Sequence, residues 1–165
     1  VRELVLEPLG MKDTCFIPTE AQLGRLAKSY LLSDDAPAKD VPVCQFTTPY
    51  SAATRAAEAG GGLFSTALDL AKFFEMVAND GRTADGRQIV SKRLMDEWFS
   101  RQTPEGNPNS YSFGMCVHGQ SLSHGGSYGT AGWANRKGGN YRLWLVSAEG
   151  SNAGLKGARA AWEMP

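Results

Sequence analysis

The segment Ser123-His124-Gly125-Gly126-Ser127-Tyr128-Gly129-Thr130 holds the residues whose types and spacing could do chemistry. Adjacent glycines leave the backbone without Cβ atoms, so a bound molecule can lie against the main chain and accept hydrogen bonds from its N–H groups. Donors placed that way stabilise the negative charge that builds on oxygen during acyl transfer. An imidazole beside them can donate a hydrogen bond or join a proton relay. Two plainer readings stand alongside: the glycines permit a bulge in a sheet, and His124 is a satisfied core histidine. Residues 125–129 also have the form G-x-S-x-G. A nucleophile elbow needs a helix after the serine and a catalytic His later in the chain. Here Thr130-Ala131-Gly132-Trp133 reads as strand and no His follows residue 124, so the elbow is set aside. The segment thus offers one wall of an active site without an attacking group.

Composition narrows the partners. The 165 residues suffice for one domain with a real core, and 42% are hydrophobic. Seventeen basic and seventeen acidic residues cancel, with no Lys/Arg run, which argues against nucleic acid or an anionic membrane surface. No apolar stretch reaches membrane-spanning length. Cys15, Cys44 and Cys116 are widely spaced and form no C-x-x-C, so buried thiols are expected, not a disulfide framework or a zinc site. Only two histidines are present and H-E-x-x-H is absent, so no metal is expected. His118 lies just past a strand and reads as a turn residue. The chain begins Val1-Arg2-Glu3-Leu4 without an initiator Met or a signal-peptide pattern, and is expected to start inside a longer polypeptide.

The elements that must position the glycine segment follow from periodicity. Residues 1–17 read as a helix end, with Pro8 breaking the pattern and Gly10 closing the turn. Residues 19–50 are expected to form an irregular surface excursion, because Asp34-Asp35-Ala36-Pro37 and Val41-Pro42 interrupt long elements. Ser65 or Thr66 caps a helix, with Asp69 in capping-box position and Leu70, Phe73, Phe74 and Val77 on one face. A second helix starts at Ser91 and buries Leu94, Met95, Trp98 and Phe99. Beyond residue 103 the period becomes two. Tyr111, Phe113, Met115 and Val117 alternate as one strand, followed by strands at 122–126 and 130–135. Lys137-Gly138-Gly139-Asn140 turns into Tyr141–Ser147, a strand apolar on both faces that reads as central. A helix closes the chain at 155–164. The predicted class is α+β: a mainly helical part over 1–103 and antiparallel strands plus a helix over 104–165, forming one incomplete domain.

Three segments resemble the serine β-lactamase-related family, which includes class C β-lactamases, D,D-peptidases and esterases of the same fold. Pro8-Leu9-Gly10-Met11-Lys12-Asp13-Thr14 resembles its "PLGM-x-x-T". Gly60-Gly61-Gly62-Leu63-Phe64-Ser65-Thr66-Ala67-Leu68-Asp69-Leu70 resembles "GGL-x-ST-x-x-DLA". Ser123-His124-Gly125-Gly126 with Tyr128-Gly129-Thr130 resembles the "HGG-x-x-GT" that stands in esterase-like members where β-lactamases have K-T-G. The resemblance implies the C-terminal portion of a β-lactamase/transpeptidase-like fold, lacking its N-terminal strands. It puts His124 at the position of the K-T-G Lys and Gly125 and Gly126 against substrate; Tyr128 and Trp133 could line the pocket or pack in the core. The backbone N–H of Ser127 would be an oxyanion donor. It implies no cofactor, an acyl substrate, and a periplasmic or secreted location, against which unpaired cysteines pull mildly.

The family's S-x-x-K and Y-x-N motifs have no counterpart: no Ser is followed three residues on by Lys, and Tyr50 lacks the required context. The chain alone is therefore expected to be inactive. The implied activity is hydrolysis of an ester, amide or β-lactam through an acyl-enzyme, with the nucleophile supplied from outside these residues. An open strand edge at 141–147 would attract an N-terminal complementing segment or a second copy. The alternative is a non-catalytic ligand-binding or interaction module derived from the same fold.

Overall fold

A computed structural model describes residues 1–43, 49–56, 60–150 and 152–163, and Cys44 lies outside them. In chain order, a π-helical turn at Arg2–Leu6 leads into α1 (Glu7–Leu9), then α2 (Glu20–Leu23), β1 (Ser29–Leu32) and β2 (Lys39–Val41). Helices α3 (Ala67–Ala78) and α4 (Lys92–Trp98) follow. The strands β3 (Tyr111–Ser112), β4 (Met115–His118), β5 (Ser121–Gly125), β6 (Ala131–Asn135), β7 (Asn140–Trp144) and β8 (Ala148–Gly150) precede α5 (Ala153–Glu163). The fold is α+β, as expected. The chain divides into two compact units, one of residues 1–14, 65–125 and 131–143, the other of residues 15–64, 126–130 and 144–165.

The first unit holds the five-stranded sheet, ordered β3-β4-β5-β6-β7, with the main core. Phe74, Met76 and Val77 of α3 and Met95 of α4 are buried with Met115, Val117, Leu122 and Ala134 of the strands. Thr66 caps α3, its hydroxyl accepting from the Asp69 N–H at 3.2 Å, and Ser91 caps α4 in the same way. At the start of the chain Pro8 stands in the first turn of α1, where a missing N–H costs nothing. Gly10, at φ 64°, ends that helix in the left-handed conformation. Arg136 ion-pairs with Asp80 at 2.7 Å and Asp96 at 2.5 Å, its guanidinium over the Phe99 ring. Lys92, then Arg136, hold the Asp96 carboxyl below the usual carboxylate range.

The Asp69 side chain does more than the capping pattern suggests. It is 5% exposed, and its carboxylate accepts from the Asp13 N–H at 2.8 Å and the Thr14 hydroxyl at 2.9 Å. Lys72 pairs with its other oxygen at 3.1 Å and also donates to the Gly10 carbonyl. Thr14 and Ser65 share a hydroxyl hydrogen bond at 2.8 Å. A buried carboxylate is tolerated only when its lone pairs are filled this way.

Several expectations are corrected. The strand expected from 111 to 117 is a hairpin: Phe113 and Gly114, at φ 38° and 89°, form the two-residue turn between β3 and β4. Positive φ at both turn positions is the signature of a type I′ turn, and Phe113 occupies one despite its Cβ. Parity survives such a turn, which is why alternation alone does not reveal it. The expected central strand at 141–147 is shorter, and β7 is an edge of its sheet. Leu94 is 46% exposed, not buried.

The second unit contains a three-stranded sheet, β2-β1-β8, and β1 and β2 of it lie inside the stretch expected to be irregular. There β1 pairs antiparallel with β2 and parallel with β8. The Asp34–Pro37 and Pro42 signals mark the turn and the end of this hairpin, not an absence of strands. Arg55 ties three segments together by donating to the carbonyls of Phe16, Tyr50 and Gly62. The Trp144 ring lies 6.2 Å from that of Trp162 on α5.

Two outcomes test this packing. Asp69→Ala leaves the Asp13 amide and Thr14 hydroxyl without their acceptor and lowers unfolding free energy by about 2–4 kcal/mol in urea melts. A loss within experimental error would contradict the buried cluster. Gly132→Ala places a methyl inside the Phe74 ring, whose Cε2 and Cε1 lie 2.6 and 2.7 Å from the Cβ position. It costs about 1–3 kcal/mol, and Phe74→Leu in the same chain recovers part of that loss.

Candidate active-site strand

The β5 strand is held from both sides. Its register pairs Cys116 with Ser123 on β4, and Ser123 with Trp133, His124 with Gly132 and Gly125 with Ala131 on β6. Leu122 is wholly buried, and His124, two residues on, shares its face of the strand. By residue 124 the core has ended, and His124, Gly125, Gly126 and Ser127 are all exposed. His124 is thus a surface imidazole at a strand end, not a satisfied core histidine. Across the ladder from it, Gly132 has no side chain, and Phe74 fills the space a Cβ would take.

The sequence marks Tyr111 only as a member of an alternating strand. Its ring meets that of His124 at a centroid distance of 5.9 Å and an interplanar angle of 71°, an edge-to-face contact. No local sequence signal announces this pairing, because it spans two strands. His118 is exposed but is the last residue of β4, paired with Ser121, so it is a strand residue and not the turn residue expected. Trp133 carries the guanidinium of Arg142 at 4.6 Å over its ring, a cation–π contact within the sheet.

After the Gly125–Gly126 peptide bond the chain makes a tight turn. The Gly129 N–H donates to the Gly126 carbonyl at 3.0 Å, and the Gly126 N–H donates to the Thr130 carbonyl at 2.8 Å. Ser127 and half-buried Tyr128 are the central residues, and the Tyr128 carbonyl accepts from the Ala148 N–H at 2.9 Å. Strand β6 follows directly, with no helix, so Ser127 is not an elbow nucleophile. The glycines here are constrained. Gly129 sits at φ 88°, and a Cβ at Gly126 would stand 2.5 Å from the Thr130 hydroxyl oxygen. What this segment offers chemically is exposed main chain at a fixed turn, preceded by an exposed imidazole.

Among the described residues, no group of three His, Cys, Asp or Glu side chains converges as a metal site, and no helix is long and apolar enough to cross a membrane. Neither Cys15 nor Cys116 is in a disulfide, and both are half-buried.

The family model for beta-lactamase matches residues 1–163. Two Mycobacterium tuberculosis proteins, from different strains and named "Uncharacterized protein MT1414" and "Protein Rv1367c", are 39% identical over 92 residues. That match covers 55% of this chain but 22% of theirs, so the chain spans about a fifth of the length of these curated relatives. Among solved structures, simvastatin synthase (LovD) from Aspergillus terreus superposes with a TM-score of 0.76 at 17% identity, covering 98% of this chain and 48% of that one. EstCE1, a hydrolase with promiscuous acyltransferase activity, superposes at 0.70 with 16% identity, covering 90% and 45%. A penicillin-binding protein homolog from Caulobacter crescentus gives 0.58 at 19% identity, covering 92% and 46%. These likenesses place the fold among β-lactamase/transpeptidase structures.

The turn itself is open to test. Gly129→Ala forces a positive φ on a residue with a Cβ, 3.2 Å from Val146 Cγ1, so it should loosen the turn. Amide hydrogen exchange of Gly126 should then accelerate while that of Leu122 holds. Unchanged exchange at Gly126 would contradict the described turn.

Proposed function

Because the chain belongs to the beta-lactamase family, we propose that residues 1–165 supply the oxyanion-side wall of a serine hydrolase. On this reading the attacking serine lies elsewhere in the whole protein. Its Oγ would add to the carbonyl of an ester, amide or β-lactam, giving a tetrahedral oxyanion that accepts from the Ser127 N–H and from the N–H of the nucleophile itself. Collapse expels the protonated alcohol or amine, and water then cleaves the acyl-enzyme. Gly125 and Gly126 let substrate lie against the strand, with Tyr128 beside it. His124 takes the position of the K-T-G lysine, donating to substrate or relaying a proton, which favours esters and amides over β-lactams. No metal or organic cofactor is called for. The open edge of β7 would receive the segment that carries the nucleophile.

One observation carries this reading: β5 ends in an exposed His-Gly pair that leads straight into the exposed glycine turn holding Ser127. The family match, the absence of S-x-x-K, and coverage of under half of the solved neighbours support it.

A fluorophosphonate probe tests the reading through intact-mass and peptide analysis. The 165-residue chain should take no adduct, whereas the complete polypeptide encoded around it should label on a serine outside these residues. An adduct on a serine within 1–165 overturns the proposal. A complete polypeptide that binds acyl ligands saturably without labelling would establish the non-catalytic module instead.

A further inference from the structure

We propose that Tyr111 is the positioning residue for His124, setting the orientation in which the imidazole faces substrate. The inference deepens the proposed function and rests on it for the word substrate. The contact itself stands on geometry within one compact unit.

His124 is exposed, and its cross-strand neighbour on β6 is Gly132, which has no side chain of its own; Phe74 fills the space a Cβ there would take. An exposed imidazole at a strand end samples several rotamers unless its neighbours restrict it, and the entropy lost on ordering it must be met at each encounter with substrate. Tyr111 adds a second wall through its edge-to-face ring contact at 5.9 Å. Such aromatic pairs are favourable beyond area burial, enough to bias a rotamer equilibrium several-fold.

The backbone around Tyr111 is built to hold that ring still. On one side the Phe113–Gly114 turn fixes the β3–β4 register, pairing Tyr111 with Cys116, which itself pairs with Ser123 beside His124. Phe113 accepts φ 38° to make the turn, a strained conformation for a residue with a bulky side chain. On the other side the Tyr111 carbonyl accepts from the Gln102 N–H at 2.9 Å, and its N–H donates to the Thr103 hydroxyl at 3.3 Å. The loop before it is clasped by Arg101, whose guanidinium donates to the carbonyls of Thr103, Pro104 and Asn107. A residue anchored on both sides in this way transmits a fixed position to whatever its side chain touches. A hydroxyl is not required for an edge-to-face contact, so Phe should serve in place of Tyr and an aliphatic residue should not.

The chain has two histidines, which makes the measurement clean, because His118 is an exposed internal reference. Histidine-ring NMR spectra of the 165-residue chain, assigned with His118→Gln, should show nuclear Overhauser contacts between the Tyr111 and His124 rings. Tyr111→Phe should keep those contacts. Tyr111→Leu should shift the His124 ring resonances and leave those of His118 in place. If Tyr111→Leu moves neither histidine, or moves both alike, the positioning role is overturned. In the complete polypeptide, Tyr111→Leu should lower kcat for an activated ester on the order of tenfold with KM little changed, and Tyr111→Phe should restore it. Intact ring contacts in a complete polypeptide that hydrolyses nothing would sink the hydrolase reading and leave the contact standing. Hydrolysis insensitive to Tyr111→Leu would sink the positioning role alone.

Discussion

The Phe74 ring occupies the space that a side chain at Gly132 would need, and the arrangement of the candidate site depends on that close approach. It brings α3 down onto β6 at the position paired with His124. Any Cβ at residue 132 would lift the helix from the sheet or push the strand outward. Packed interiors respond to such changes by discrete shifts, because there is little free volume to absorb them. The absence of a methyl group in the core therefore helps set where a surface imidazole stands.

The same helix governs the other end of its unit. Five residues before Phe74, Asp69 gathers the Asp13 amide, the Thr14 hydroxyl and Lys72, and so pins the loop after α1 to the first turn of α3. Thr14 and Asp69 belong to two of the three segments in which the sequence resembles its family. Their meeting gives those segments a physical meaning: they describe a scaffold joint, a buried carboxylate whose acceptor sites are filled from a distant loop. The third segment, around His124, is of a different kind. It is exposed, and its glycines hold turn geometry.

How much of this was legible follows from how local each determinant is. The caps of α3 and α4 were readable because Thr66 and Ser91 bond within three residues of themselves. Strands β5 and β6 were readable from local alternation, and so was the turn between β6 and β7, read at 137–140 and found at 136–139. The β2-β1-β8 sheet was not, because its strands are three or four residues long and Tyr30 pairs with Ala148, far along the chain. The β3–β4 turn is hidden because Phe113 stands where Asn or Gly is expected, and a two-residue turn preserves alternation. Asp69 looks like a capping residue, and its long-range partners cannot be read from spacing. The Tyr111–His124 contact crosses an intervening strand and leaves no trace in local pattern.

These residues thus divide into a scaffold read largely from cores and caps and a short exposed segment that presents main chain. The central claim is that this segment steadies a developing oxyanion whose attacking serine comes from elsewhere in the protein. A crystal structure of the complete polypeptide carrying a covalent phosphonate measures this most directly. The account predicts the phosphonyl oxygen about 2.7–3.1 Å from the Ser127 backbone nitrogen, with phosphorus bonded to a serine outside residues 1–165. A phosphonyl oxygen held by other donors, with the Ser127 amide turned away, would contradict it.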